Sequence, residues 1–217
     1  MTKYNKLLIS LRYFLLGASR FANEQERSEL LDAYNILEFA KTYHTGMRDD
    51  GVTPEFQHQL EITHFLTTIG DSIPHRGIMY AVGLGHDLIE DYGNAGIDLT
   101  EIRSRIVNTE IFDFMEDLYK IRNGVKISPK AYEENLLKSP ISCIVKGADR
   151  INNMGSMIHA FSPERQNKYI IETDDFILGL IKKARRKFPE FNHVFENLKC
   201  ILSTQLDFAK ELNKEEK

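Results

Sequence analysis

Leu30-Leu31-Asp32-Ala33-Tyr34-Asn35-Ile36-Leu37-Glu38-Phe39-Ala40-Lys41-Thr42-Tyr43 sets the period on which the rest of the chain is read. Leu30, Tyr34, Leu37 and Tyr43, with Ala33 and Ala40, fall close to one stripe of a 3.6-residue repeat, the mark of an amphipathic helix. Similar tracts run through Tyr80–Asp91, Glu110–Arg122, Tyr132–Ser156 with Pro140 as a boundary or kink, Pro163–Lys187 and Glu190–Leu212. Period-two alternation rich in Val, Ile and Thr is almost absent. The expected fold is an all-α helical bundle.

Helix starts are marked by Thr53-Pro54-Glu55, Ser128-Pro129 and Ser162-Pro163-Glu164. The hydroxyl can cap free amides, and proline at the first helical position loses no hydrogen bond. Pro74 suits the start of the helix through Tyr80, which Gly93-Asn94-Ala95-Gly96 then breaks before Thr100-Glu101 opens a short one. Met1–Phe14 reads as an amphipathic helix interrupted by Arg12, without a convincing cleavage site. The polar stretch Asn23–Glu29 separates it from the main bundle. The expected division is residues 1–28 as an N-terminal helical extension, 29–187 as the core, and 188–217 as a C-terminal helix packed on it with a frayed end.

Of 217 residues, 42% are hydrophobic and 28% charged, enough apolar material for one domain's core. No apolar run approaches bilayer length, which argues against a membrane span and for a cytoplasmic protein. The net charge of −4 argues against broad nucleic-acid binding, which rests on neutralising phosphates. A small phosphorylated ligand needs only a local positive field. Cys143 and Cys200 lie far apart among apolar helical neighbours and read as two buried thiols.

His86-Asp87-Leu88-Ile89-Glu90-Asp91 is the densest local chemistry. On a helix His86 and Glu90 share one face and Asp87 and Asp91 the next. Three carboxylates so close repel one another unless something positive sits among them, and imidazole with carboxylate suits Mn, Fe or Zn. The plainer reading is a solvated acidic helix end, although acids there oppose the macrodipole. In Lys146-Gly147-Ala148-Asp149-Arg150-Ile151-Asn152-Asn153-Met154, Asp149 and Asn153 face one way from a helix preceded by Ile141, Ile144 and Val145. Buried polar groups need partners. These are either a shared metal or phosphate, or a pairing of Asp149 with Arg150 or Lys146. His58 alone reads as a capping or surface residue as readily as a ligand.

Together these pieces resemble the HD-domain phosphohydrolases, and among them the RelA/SpoT-type alarmone hydrolases. The family's order of a His, an HD dipeptide and a distant Asp is met by His58, His86-Asp87 and Asp149. His86-Asp87-x-x-Glu90-Asp91 looks like that branch's HDxxED, and Lys146-x-Ala148-Asp149-Arg150-x-x-Asn153-Met154 like its KxADRxxNM. Phe39-Ala40-x-x-x-His44-x-Gly46 and Pro163–Thr173 resemble the flanking helices, so the likeness covers residues 30–185. Three departures stand out. Gln57-His58-Gln59 replaces the usual His-Pro, Asp49 and Asp50 follow Arg48 where basic residues are usual, and Gly147 replaces a larger apolar residue.

The resemblance implies an HD-domain bundle of the small, stand-alone type. One divalent metal, by family expectation manganese, would be ligated by His58, His86, Asp87 and Asp149. The implied reaction removes pyrophosphate from the 3′ position of guanosine tetra- or pentaphosphate, with Glu90 and Asp91 positioning and deprotonating the water. Arg48, Lys146, Arg150 and Asn153 would contact substrate. His44 would serve packing or support the site, and His64, His75, His159 and His193 would be structural. Tyr169 could stack on a base but fits a core aromatic better. The alternatives are the same chemistry on another nucleotide (an adenine alarmone, a nucleoside monophosphate or the 2′-phosphate of NADPH), or a nonenzymatic nucleotide- or partner-binding module. The sequence gives no oligomeric state.

Overall fold

A computed structural model describes residues 1–92, 99–122 and 125–215. The predicted break at Gly93–Gly96 lies outside them. The protein is an all-α helical bundle whose described helices are α1 (Lys3–Ser19), α2 (Glu24–Tyr43), α3 (Gln57–Ile69), α4 (Arg76–Gly85), α5 (Leu88–Tyr92), α6 (Leu99–Arg103), α7 (Glu110–Asp117), α8 (Pro129–Leu136), α9 (Pro140–Ala160), α10 (Pro163–Glu172), α11 (Leu178–Lys187) and α12 (Asn192–Glu215). Residues 173–177 form a π-helical turn joining α10 to α11. The described strands are β1 (Ile121–Arg122) and β2 (Val125–Lys126), paired antiparallel.

Two helices sit deepest. Every residue of α4 from Gly77 to Gly85 is buried, enclosed by α2, α3 and α7. A helix apolar on all sides has no solvent face to present. The middle of α9 is similarly enclosed by α3, α4, α11 and α12. The N-terminal helix joins the same core: Leu8, Leu11 and Leu15, at helical spacing, are buried in it. Arg12 pairs with Glu38 of α2 through two hydrogen bonds of 2.5 and 2.6 Å. Close packing accounts for Gly147. A Cβ there would stand 3.0 Å from Leu198 Cδ1 and 3.2 Å from Ile181 Cδ1, so its lack of a side chain lets α11 and α12 pack close against α9.

Ser128 and Ser162 cap their helices as expected, accepting from the amides of Ala131 and Arg165, with Pro129 and Pro163 following. Thr53-Pro54 does not start a helix. The Asp50 carboxylate accepts from the Val52 and Thr53 amides and from the Thr53 hydroxyl, which leaves that hydroxyl no role as a cap. Pro54 bridges to Met47, and α3 begins at Gln57 without a side-chain cap. Gly51, at φ +70°, supplies the left-handed turn that brings the two arms of this loop together. The expected helix through Asp91 is interrupted at His86-Asp87, which form a turn between α4 and α5. The tract to Arg122 ends at Asp117 because Ile121 and Arg122 pair with Val125 and Lys126. Cys143 is buried as expected, whereas Cys200 is exposed on α12. At the C-terminal end α12 continues to Glu215.

Candidate metal centre

The start of α3, the end of α4 and the middle of α9 meet at one end of a cavity of about 460 Å³. Each delivers one imidazole or carboxylate to that point. His58 and His86 are buried with ring centroids 5.4 Å apart. Asp149 Oδ1 lies 3.2 Å from His58 Nε2 and 3.9 Å from His86 Nε2. Asp87 Oδ2 lies 3.0 Å from His86 Nε2 and 3.8 Å from His58 Nε2.

Both rings are oriented from behind. His58 Nδ1 donates to Asn152 Oδ1 at 2.7 Å, and Asn152 Nδ2 donates in turn to Glu61 Oε2 at 2.8 Å. Glu61 is further held by Gln57 and by Lys3 of α1, at 2.8 and 2.6 Å. His86 Nδ1 donates to the Gly83 carbonyl at 2.9 Å. Because amide and peptide oxygens only accept, both Nδ1 atoms carry a hydrogen and both Nε2 atoms face the carboxylates. Such support from behind fixes tautomer and ring orientation for metal ligation. His86 Nε2 is buried and makes no hydrogen bond among the described residues. The Asp87 oxygen approaches it at 3.0 Å without hydrogen-bond geometry.

The electrostatics match this arrangement. Burial opposes charge on His86, yet Asp87 and Asp149 outweigh burial and push its pKa up to about 9. Burial likewise opposes ionisation of Asp87, and His86 overcomes it, holding the carboxyl down to about 2. Asp149 is held well below the ordinary carboxyl range, Lys146 and the two histidines outweighing burial. The His86 imidazolium and the Lys146 ammonium meet the charge of Asp87 and Asp149, and a divalent cation could take the place of the His86 proton. A buried imidazole nitrogen with no hydrogen-bond partner, a second oriented imidazole and two ionised carboxylates suit a divalent Mn, Fe or Zn ion.

Glu90 and Asp91 stand on α5 at the cavity wall. Glu90 Oε2 accepts from the Lys120 amide at 3.1 Å. Burial first, then Asp87, raises the pKa of Glu90, and burial with Asp87 and Glu55 pushes Asp91 up to about 7.

The four expected substrate contacts separate. Arg48, Lys146 and Asn153 line the cavity, whereas Arg150 does not. Arg48 donates to Asn153 Oδ1 at 3.1 Å, and Asn153 Nδ2 donates to Asp149 Oδ1 at 2.6 Å. Lys146 is paired with Asp149 Oδ2 at 2.6 Å, so Asp149 has an ion-pair partner as well as a face towards the imidazoles. Arg150 is buried against α10, paired with Glu172 at 2.8 Å and stacked on Tyr169. Tyr169 is half-buried and borders both this cavity and a neighbouring one of about 640 Å³ that also shares Lys120. The acidic loop is accounted for locally: Asp49 pairs with Arg165, and Asp50 holds the turn.

No protein-family model matches the chain, and no curated protein matches it.

No local pattern in the sequence marks Asn152, Glu61 or Glu55 as part of a site. Glu61 lies one helical turn beyond His58, but nothing local indicates that its partner Asn152 lies 91 residues further on. No described helix is long and apolar enough to cross a membrane.

Proposed function

We propose that this protein is a metal-dependent phosphohydrolase of the HD-domain type that removes pyrophosphate from the 3′ position of guanosine 3′,5′-bis(diphosphate). One observation carries the reading. Four residues from two helices and a turn, His58, His86, Asp87 and Asp149, converge at the end of a polar cavity that Glu90 also lines. Those four would hold the cation, manganese by resemblance. When bound, a divalent cation supplies Lewis-acid polarisation of a phosphoryl oxygen and offsets the negative charge that grows there.

The chain's own groups supply the rest. Glu90 accepts the proton of the attacking water. Its raised pKa brings it nearer to neutrality, where a general base works best, and the Lys120 amide fixes its carboxylate. Arg48, held by Asn153, presents a guanidinium to phosphate oxygens, a role suited to its planar fork of donors. Lys146 is spent on Asp149 and acts by keeping that carboxylate ionised. The adjoining cavity, with Lys126 and Lys168 near Tyr132 and Phe176, offers room for the remainder of a nucleotide.

A second substrate reading rests on the loop before His58. Asp49 neutralises Arg165 at the cavity edge, leaving Arg48 as the loop's contribution of positive charge. That balance favours a less highly charged nucleotide, handled by the same centre.

Glu90→Gln is expected to lower kcat on guanosine tetraphosphate by roughly 10²–10⁴-fold, the usual worth of a general base. Manganese affinity should stay within a few-fold. An unchanged kcat would remove Glu90 from the mechanism. Asn152→Ala is expected to weaken manganese binding by roughly 10–100-fold through loss of His58 orientation. A titration showing equal affinity in wild type and variant would count against that support.

A further inference from the structure

Beside the first group of donors stands another, formed by His44 at the end of α2, Glu55 in the loop before α3, and Asp91 on α5. One ligand atom from each lies within 4.8 Å of the others, and Glu55 and Asp91 face the same cavity as the first centre. His44 is the unusual member. Its side chain has no solvent exposure, its ring stacks on Phe56 at 5.9 Å, and it meets the edge of Tyr92 at 4.8 Å. Neither ring nitrogen makes a hydrogen bond among the described residues, and Nδ1 stands 3.4 Å from Glu55 Oε1. A buried imidazole so placed carries a desolvation cost that packing alone does not return.

Its partners are held ready. The Glu55 backbone amide donates to the Gly46 carbonyl at 2.9 Å, and Tyr92 donates its hydroxyl to Glu55 Oε2 at 2.7 Å, leaving Oε1 turned to His44. Burial lowers the His44 pKa despite Glu55, which keeps the ring neutral and a lone pair available. Glu55, Glu90 and Asp91 add carboxyl groups to this side of the cavity beyond those of the first centre.

We propose that His44, Glu55 and Asp91 form a second divalent-cation site, so that the cavity takes two cations. One imidazole and two carboxylates suit manganese, iron or zinc and leave positions for water and a phosphate oxygen. Asp91 then serves as a ligand, and proton acceptance falls to Glu90. The inference needs the first centre only as a neighbour and does not depend on which nucleotide is hydrolysed.

The test is a titration of metal-stripped full-length protein with manganese, counting bound ions by equilibrium dialysis and recording the electron paramagnetic resonance spectrum. Wild type is expected to bind two ions per chain with a spectrum broadened by spin coupling. Glu55→Gln, which keeps an oxygen for the Tyr92 hydroxyl, should bind one ion and lose the broadening, with an unchanged thermal unfolding midpoint. Asp149→Asn should lose the other ion. One ion in wild type and in Glu55→Gln, lost in Asp149→Asn, would overturn the second site and leave the first standing. Two ions retained in Glu55→Gln would overturn it as well, and no ion bound in wild type would overturn both sites.

Discussion

Asp87→Ala is expected to abolish manganese binding at the first centre and to lower turnover by about 10³-fold, with the fold unchanged. The magnitude follows from the several kcal/mol that a cation contributes at a developing phosphoryl charge, each 1.4 kcal/mol being tenfold in rate. Asp87 is the cleanest of the four positions to remove. It sits in the turn between α4 and α5 with about a third of its side chain exposed, so truncation leaves no large hole in the core. Asp149→Ala is harder to interpret, because it strands the Lys146 ammonium, whose side chain is 13% exposed, without its partner. Binding isotherms, steady-state rates and circular dichroism on Asp87→Ala separate the outcomes. Full manganese affinity together with full turnover would remove Asp87 from the centre.

Glu172→Gln is expected to cost roughly 1–3 kcal/mol of stability at neutral pH, because it removes the charged partner of the buried Arg150 from a pair whose acidic side is 27% exposed. Arg150 is among the largest fully buried side chains, and Glu172 supplies its carboxylate partner at 2.8 Å. Glu172 also receives Lys120, tying α10 to the segment after α7. Burial alone would raise the Glu172 pKa, but Arg150 and then Lys120 outweigh it and hold it down to about 2. A carboxyl depressed in the folded state contributes stability that is fully present above its ordinary pKa near 4.5. That contribution is lost as pH falls from there towards about 2. Wild type should therefore lose stability across this window, whereas the Gln variant, lower at pH 7, should show a shallower fall. Urea midpoints measured at pH 7, 4 and 3 test both parts. Equal midpoints for wild type and variant at pH 7 would show that the pair is not what stabilises this junction.

The same pair explains where Arg150, a candidate phosphate contact by resemblance, points. In sequence it adjoins Asp149, but on a helix adjacent residues point about 100° apart, so Asp149 faces the imidazoles while Arg150 faces α10. The helices themselves were legible because their information is local. Apolar spacing marked α2, and Ser-Pro pairs marked the starts of α8 and α10. Thr53-Pro54-Glu55 carries the same local signature and misleads, since the Asp50 carboxylate captures the Thr53 hydroxyl and amide. The end of α7 depended on a strand pairing that helical periodicity cannot register.

The candidate centre was legible in part for a related reason. His86-Asp87 and Asp149 announce themselves by carboxylates and amides placed against apolar stretches. His58 gains meaning only when α3 crosses α9 and Asn152 takes its Nδ1 hydrogen. His44 and Glu55, set in a helix end and a loop, have no local pattern to join them to Asp91. Their association exists only once α2, the loop before α3 and α5 are packed together.

The most direct test of the account is pyrophosphate release from guanosine tetraphosphate by metal-stripped protein, with and without added manganese. Manganese-dependent release of pyrophosphate, with GDP as the other product, is the expected result. No release by protein shown to have manganese bound would contradict it.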